Sequence, residues 1–130
     1  MSVTTSAYRI LRVGMGITFL WIGILIFRDP IAWGGFIQPW ALKLLLVPLR
    51  QTMISTAILD MILGVLFLID RWTWIAAFLA SAHLVIILVT SGINEVTVRD
   101  IGLLGATIAL TIVLWPGDLK NIFKMKRVAA

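Results

Sequence analysis

Apolar runs of about twenty residues recur along this chain, separated by only a few charged or turn-forming residues. A helix rises ~1.5 Å per residue, so a run of ~20 matches the ~30 Å hydrocarbon layer of a bilayer. Within that layer a helix satisfies all its backbone N–H and C=O groups inside one segment. The 130 residues have room for about four such runs with short connections. Composition agrees: 61% of residues are hydrophobic, 13% are charged and the mean hydropathy is +1.06. A soluble domain carries about a quarter charged residues. The pattern predicts one all-α domain over 1–130, an integral membrane four-helix bundle with no separate soluble catalytic module.

The four helices are expected at about 8–27, 49–69, 72–90 and 99–115. Arg28-Asp29-Pro30 follows the first run where a secretory signal would carry small residues for cleavage, so this run reads as a retained helix. Asp29-Pro30 stops it, because the residue before proline is driven out of the helical region. Pro30, Trp33, Gly34, Gly35, Pro39 and Trp40 then mark a surface-lying or re-entrant segment between the first and second helices. Tryptophan favours the half-wet headgroup layer. Asp70-Arg71 alone separates the second run from the third, which makes a tight hairpin. Thr97-Val98-Arg99-Asp100 has the form of a helix start, the hydroxyl capping a free N–H and the acid favouring the positive helix end. Pro116-Gly117 ends the fourth run, and 118–127 reads as a short cationic helix lying on anionic headgroups.

The net charge of +5 is no nucleic-acid signature, because the basic residues punctuate apolar runs and form no patch. Such residues set membrane orientation. Arg9, Arg12, Arg71, Lys120, Lys124, Lys126 and Arg127 fall on one side, and Arg28, Lys43, Arg50 and Arg99 on the other. Seven against four places both termini in the cytoplasm; a bacterial or archaeal cytoplasmic membrane is the expected location. With no cysteine and a single histidine, thiol chemistry is excluded and no protein-built metal site is expected.

Lipid offers no hydrophobic drive between helices, so small residues that let backbones approach mark the packing seams. Candidates are Gly16 and Gly23 on the first helix and Thr52, Thr56, Asp60 and Gly64 on the second. Ala76, Ala80 and His83 align on the third, and Gly102, Gly105, Ala106 and Ala109 on the fourth.

Two polar residues stand inside the apolar runs. An aspartate at the bilayer centre costs roughly 2.5–3.5 kcal/mol on insertion scales, and Asp60 sits mid-helix. It lies ten residues before Asp70, while His83, the only histidine, lies twelve after Arg71. Across the hairpin the two fall within roughly 3 Å of one depth. They read either as a site for a polar ligand head or a proton, or as a polar pair that fixes helix register. Trp21 is a candidate pocket-lining ring or plain apolar bulk. Arg28, Asp29, Glu95, Arg99 and Asp100 share the outer surface, where they are solvated or recognise a polar head.

The stretch 19–27, Phe-Leu-Trp-Ile-Gly-Ile-Leu-Ile-Phe, then Asp29-Pro30 and 32–40, Ala-Trp-Gly-Gly-Phe-Ile-Gln-Pro-Trp, resembles the first helix and loop of DoxX-like membrane proteins. Asp60 with Gly64, the mid-helix His83, and 99–105, Arg-Asp-Ile-Gly-Leu-Leu-Gly, extend the resemblance over residues 9–115. It implies a four-helix bundle similar in architecture to the vitamin K epoxide reductase membrane core, without the thiols of that enzyme. Family members often carry Lys near the end of the first helix and Glu in the second; here Ile26 and Asp60 stand there. Relatives are associated with membrane redox complexes. The leading expectation is a bundle that binds a quinone- or lipid-like ligand through Asp60, His83, Trp21, Arg28 and Arg99. It would support a membrane redox or stress-response complex, with an oxidoreductase partner or as a homodimer, amid membrane lipids. A small proton-coupled transporter and a non-catalytic scaffold are the rival readings, and the residues name no reaction.

A cysteine-free chain makes the orientation simple to test. A single Cys placed at Ser2 or Ala129 should resist an impermeant maleimide in intact cells and react after lysis. One placed at Gly35 or Ile93 should react in intact cells. Labelling of Ser2 and Ala129 on opposite faces would show an odd number of crossings.

Overall fold

The computed structural model describes residues 4–116. They form α1 (Thr5–Arg28), α2 (Pro30–Gly34), α3 (Pro39–Leu42), α4 (Leu49–Ile69), α5 (Thr73–Ser91) and α6 (Val98–Leu114), with no strand among them. α1, α4 and α5 are each long and apolar enough to cross a membrane, which makes this an integral membrane protein. α6 has 17 residues. The cationic stretch expected at 118–127 lies outside the described residues.

Local chemistry sets the ends. α1 stops at Arg28 because Asp29 leaves the helical region, and the Asp29 carboxylate then accepts from Ala32 N–H to start α2 with Pro30 in its first turn. Between α4 and α5, Asp70 and Trp72 both take the left-handed conformation, at φ 55° and 49°. The N–H groups of Asp70 and Arg71 both return to the Leu66 carbonyl, so the turn closes within three residues.

The long helices pack as two antiparallel pairs, α1 on α4 and α5 on α6, while α2 rests against α4. In the first pair the glycines expected at a seam are there. A Cβ on Gly64 would stand 2.5 Å from the Leu20 amide nitrogen and 2.8 Å from the Gly16 carbonyl. One on Gly23 would stand 2.8 Å from the Ala57 carbonyl. Met15, Phe19, Leu63 and Phe67 fill the space beside this contact. In the second pair Ala76, Ala77 and Ala80 are buried, and Ser81 donates to Thr107 at 2.9 Å. Trp115 meets Trp74 edge-on at 5.4 Å and closes the far end.

A polar latch joins the α1 start to the α4–α5 turn. The Arg12 guanidinium donates to the Phe67 carbonyl and, at 2.9 Å, to the Leu68 carbonyl at the α4 C-terminus. A cation there also meets the negative end of the helix dipole. Tyr8 and Thr73 each donate to Asp70 at 2.7 Å. Those hydrogen bonds, Thr73's first, hold the Asp70 carboxyl below the ordinary carboxylate range, with Arg12 adding attraction. From the sequence, Arg12 counted only toward orientation.

Two expectations are corrected on α6. Gly102 and Gly105 are no packing seam: both face outward, and a Cβ on either would meet nothing within 4 Å. The buried face carries Asp100, Thr107 and Leu110 instead. Thr97 does not cap the helix. Its hydroxyl donates to the Gly92 carbonyl and accepts from Asn94 N–H, and the Asn94 side chain accepts from Val96 and Thr97 N–H. Asparagine is as good an acceptor for these free amides as threonine.

The seam predicts opposite outcomes for two glycines. Gly64→Ala should destabilise the detergent-solubilised protein by about 1–3 kcal/mol, the usual range for overpacking a tight contact. Gly105→Ala should be neutral or gain up to ~1 kcal/mol from helix propensity. Thermal unfolding of both variants beside the wild type checks this.

Candidate site between the two helix pairs

Where α1–α4 faces α5–α6, the chain lines a partly open cavity of about 240 Å³. Its walls are mainly apolar, with Phe19, Ile22 and Ile26 from α1, Met53 from α4 and Leu84 and Leu103 from the opposite pair. Trp33, Phe36, Ile37 and Ala41 of the α2–α3 region cover one flank. That region is tied down by Gln38 N–H, which donates to the Thr90 carbonyl at 2.9 Å. The segment read from sequence as surface-lying or re-entrant is therefore also a wall of the cavity.

Polar groups cluster at defined levels. Asp60 and His83, both mid-helix, form the inner end, while Ser91 and Arg99 stand at the loop end. His83 Nε2 lies 3.1 Å from Asp60 Oδ1. The alignment is not that of a hydrogen bond, and both atoms are fully buried without a hydrogen-bond partner. Asp60 is only 2% exposed. Buried polar atoms in native proteins almost always find partners, so two orphans side by side mark a place with unused binding capacity.

Asp100 joins this group. It is 8% exposed, lines the same cavity and lies within electrostatic range of both Asp60 and His83. Sequence reasoning had set it on the outer surface as a helix-start charge. The signal that could have found it is its i, i+3, i+7 relation to Leu103 and Thr107, which marks one helix face.

Of the residues expected at a site, the structure brings together Asp60, His83 and, at the loop end, Arg99. Arg99 is exposed, and its Nε donates to the Val96 carbonyl at 3.3 Å. Trp21 and Arg28 are not brought there. Trp21 is 64% exposed on the outer side of α1, and Arg28 is likewise exposed. Each follows an inward residue, Phe19 or Ile26, by two positions, a rotation of about 200° around a helix. The i, i+4 ridge read on α4 does face the cavity through Thr52, Thr56 and Asp60, and its last member, Gly64, turns to α1. No group of three or more His, Cys, Asp or Glu side chains among the described residues is placed to hold a metal ion.

Comparison with protein-family models, with curated proteins and with solved structures gave no match to this chain.

A double-mutant cycle on Asp60→Ala and His83→Ala should return a coupling of about 0.6 kcal/mol, and at most ~1.7, the span measured for polar pairs in membrane bundles. Strictly additive losses would show that the two groups are neighbours without interacting.

Proposed function

We propose that this chain is a DoxX-like bundle of four crossings in a bacterial or archaeal cytoplasmic membrane, with both termini cytoplasmic. Between its helix pairs it binds an amphipathic ligand, quinone- or lipid-like. The observation that carries this is the cavity: apolar walls that lead to the unpartnered Asp60–His83 pair at mid-helix. Ligand sites are mostly apolar clefts with a few converging polar groups, commonly between the helices of bundles. An ionisable residue inside a membrane helix is by default a functional candidate.

The ligand's polar head would meet Asp60, His83 and Asp100, its apolar part would lie along Phe19, Ile22 and Leu84, and Arg99 would stand at the entrance. A bound ligand also offsets the cost of keeping Asp60 in the membrane, since it supplies the partners that the protein withholds. With no cysteine in the chain, any electrons would be carried by a bound quinone or by an oxidoreductase partner. The bundle would then support a membrane redox or stress-response complex. Binding is favoured over transport by one feature: inward of Asp60, Leu63, Phe67, Ala76 and Ala80 are packed into a continuous buried core.

Protein extracted with its native lipids should retain a small amphiphile detectable by mass spectrometry. Added quinone or native lipid should bind at micromolar levels. Asp60→Asn should weaken about tenfold or more the binding of any such ligand whose head donates to that carboxylate, as expected for a charge-assisted hydrogen bond worth ~1.5–3 kcal/mol. Absence of any micromolar binding in the wild type would sink the proposal.

A further inference from the structure

The hydrogen-bonding inventory of the cavity is lopsided. Thr52, Thr56, Thr90 and Thr97 all line it. Each hydroxyl proton is already committed to a backbone carbonyl. Thr52 donates to Pro48 at 3.3 Å, Thr56 to Thr52 at 3.1 Å, Thr90 to Ile86 at 2.8 Å and Thr97 to Gly92 at 2.5 Å. A hydroxyl has one proton and two lone pairs. With the proton turned back to the helix, what remains to offer a ligand is lone pairs. The two carboxyl groups add more acceptors: Asp60 Oδ1 is buried with no hydrogen-bond partner, and Asp100 lines the same space.

Opposing these are few donors. His83 brings the one imidazole ring to the inner end, and its Nε2 lies 3.1 Å from Asp60 without being aligned to it as a hydrogen bond. Arg99 sits exposed at the loop end with its Nε turned to Val96, so its remaining Nη donors belong to that end beside Asp100 and not to the Asp60–His83 level. The Ser91 hydroxyl shares that end, and the Trp33 indole belongs to the covering α2 segment.

Resting on the ligand-binding reading above, we propose that the cavity selects amphiphiles whose polar head donates hydrogen bonds. Such a head is a hydroxyl on an aromatic ring or a protonated amine. A carbonyl, an ether or a carboxylate is disfavoured. A donating head turns the lone pairs of Asp60, Asp100 and the threonines into partners. A head that only accepts sets lone pair against lone pair in a medium of low dielectric, and leaves buried acceptors unsatisfied. In a quinone–quinol pair the reduced form, which carries two hydroxyls, is the better fit.

Matched amphiphiles test this without any redox chemistry. The full-length protein in uncharged lipid nanodiscs is titrated by calorimetry with 4-nonylphenol and 4-nonylanisole, which differ by one O–H. It is titrated separately with dodecylamine and dodecanoate. Heats from empty nanodiscs are subtracted. The expected result is that the phenol binds at least about tenfold tighter than the anisole, the amine at least about tenfold tighter than the carboxylate, or both. The stronger preference identifies the head as neutral hydroxyl or as cation. Asp60→Asn and Asp100→Asn each remove a carboxyl and put a permanent N–H donor in its place, so either should narrow the preference. The second variant serves where the first fails to fold. If anisole and carboxylate bind as well as their partners, a ligand site stands and its donor selectivity is overturned. If none of the four binds, the ligand-binding reading falls and this inference with it.

Discussion

The approach of α1 to α4 through Gly16, Gly23 and Gly64 sets the rest of the architecture. Between helices in lipid, apolar side chains gain little by leaving one hydrocarbon environment for another, and dispersion at close range has to supply the attraction. Bare glycine surfaces let the two backbones come near enough for a Cβ to be excluded outright. Arg12 reinforces the same pair by donating to the Phe67 and Leu68 carbonyls, which have no further turn of α4 to bond to. Alanines and the Ser81–Thr107 bond do comparable work between α5 and α6. The two pairs touch each other less closely than the helices within each pair do. The space left between them is the cavity.

That geometry explains where the polar residues can be tolerated. Asp60 on one pair and His83 and Asp100 on the other all face the gap and not the lipid. A charge turned to the lipid would bear the full insertion penalty, whereas one facing a cavity can be partnered. The pair costs stability unless something completes its hydrogen bonds, because its own alignment does not. A scaffold could hold the same register more cheaply with apolar side chains, as replacement of buried ion pairs in other proteins has shown. The proposed ligand supplies the partners that these three ionisable groups lack within the protein.

How much of this was legible in the sequence follows from what the bilayer does to patterns. Helix existence and ends were legible, because charges and prolines stand out against an apolar background: Asp29-Pro30 and Asp70-Arg71 fall where α1 and α4 end. Depth was legible too, since rise per residue is fixed, and that brought Asp60 level with His83. Rotation was not. In water, hydrophobic periodicity tells which face is inside; in lipid both faces are apolar, so the orientation of Trp21, Gly102 and Gly105 left no trace in composition. Small residues were read as seams throughout. The structure has them at seams on α1, α4 and α5; on α6 Ala106 packs inward while both glycines face open space. Asp100 was misplaced for the related reason that its position in the first turn of a helix already accounts for an acid.

The cavity is also asymmetric along the helix axes, and the asymmetry has a physical source. At the inner end Leu63, Phe67, Ala76 and Ala80 are fully packed, and the Tyr8–Arg12–Asp70–Thr73 latch ties the ends of α1 and α4 to the start of α5. At the other end the long connection from α1 to α4 has no partner helix of equal length. It breaks into the short α2 and α3, whose prolines prevent continuation. Two short helices cannot bury a continuous stripe, and Leu44 and Leu46 beside them remain exposed. In a membrane such side chains belong with lipid, at the level where Trp40 also stands exposed. The same segment therefore touches lipid on one side and covers the cavity on the other. A ligand drawn from the bilayer would meet this thin wall before any of the long helices, and the backbone bond from Gln38 to Thr90 is the main-chain tie that closes the wall onto α5.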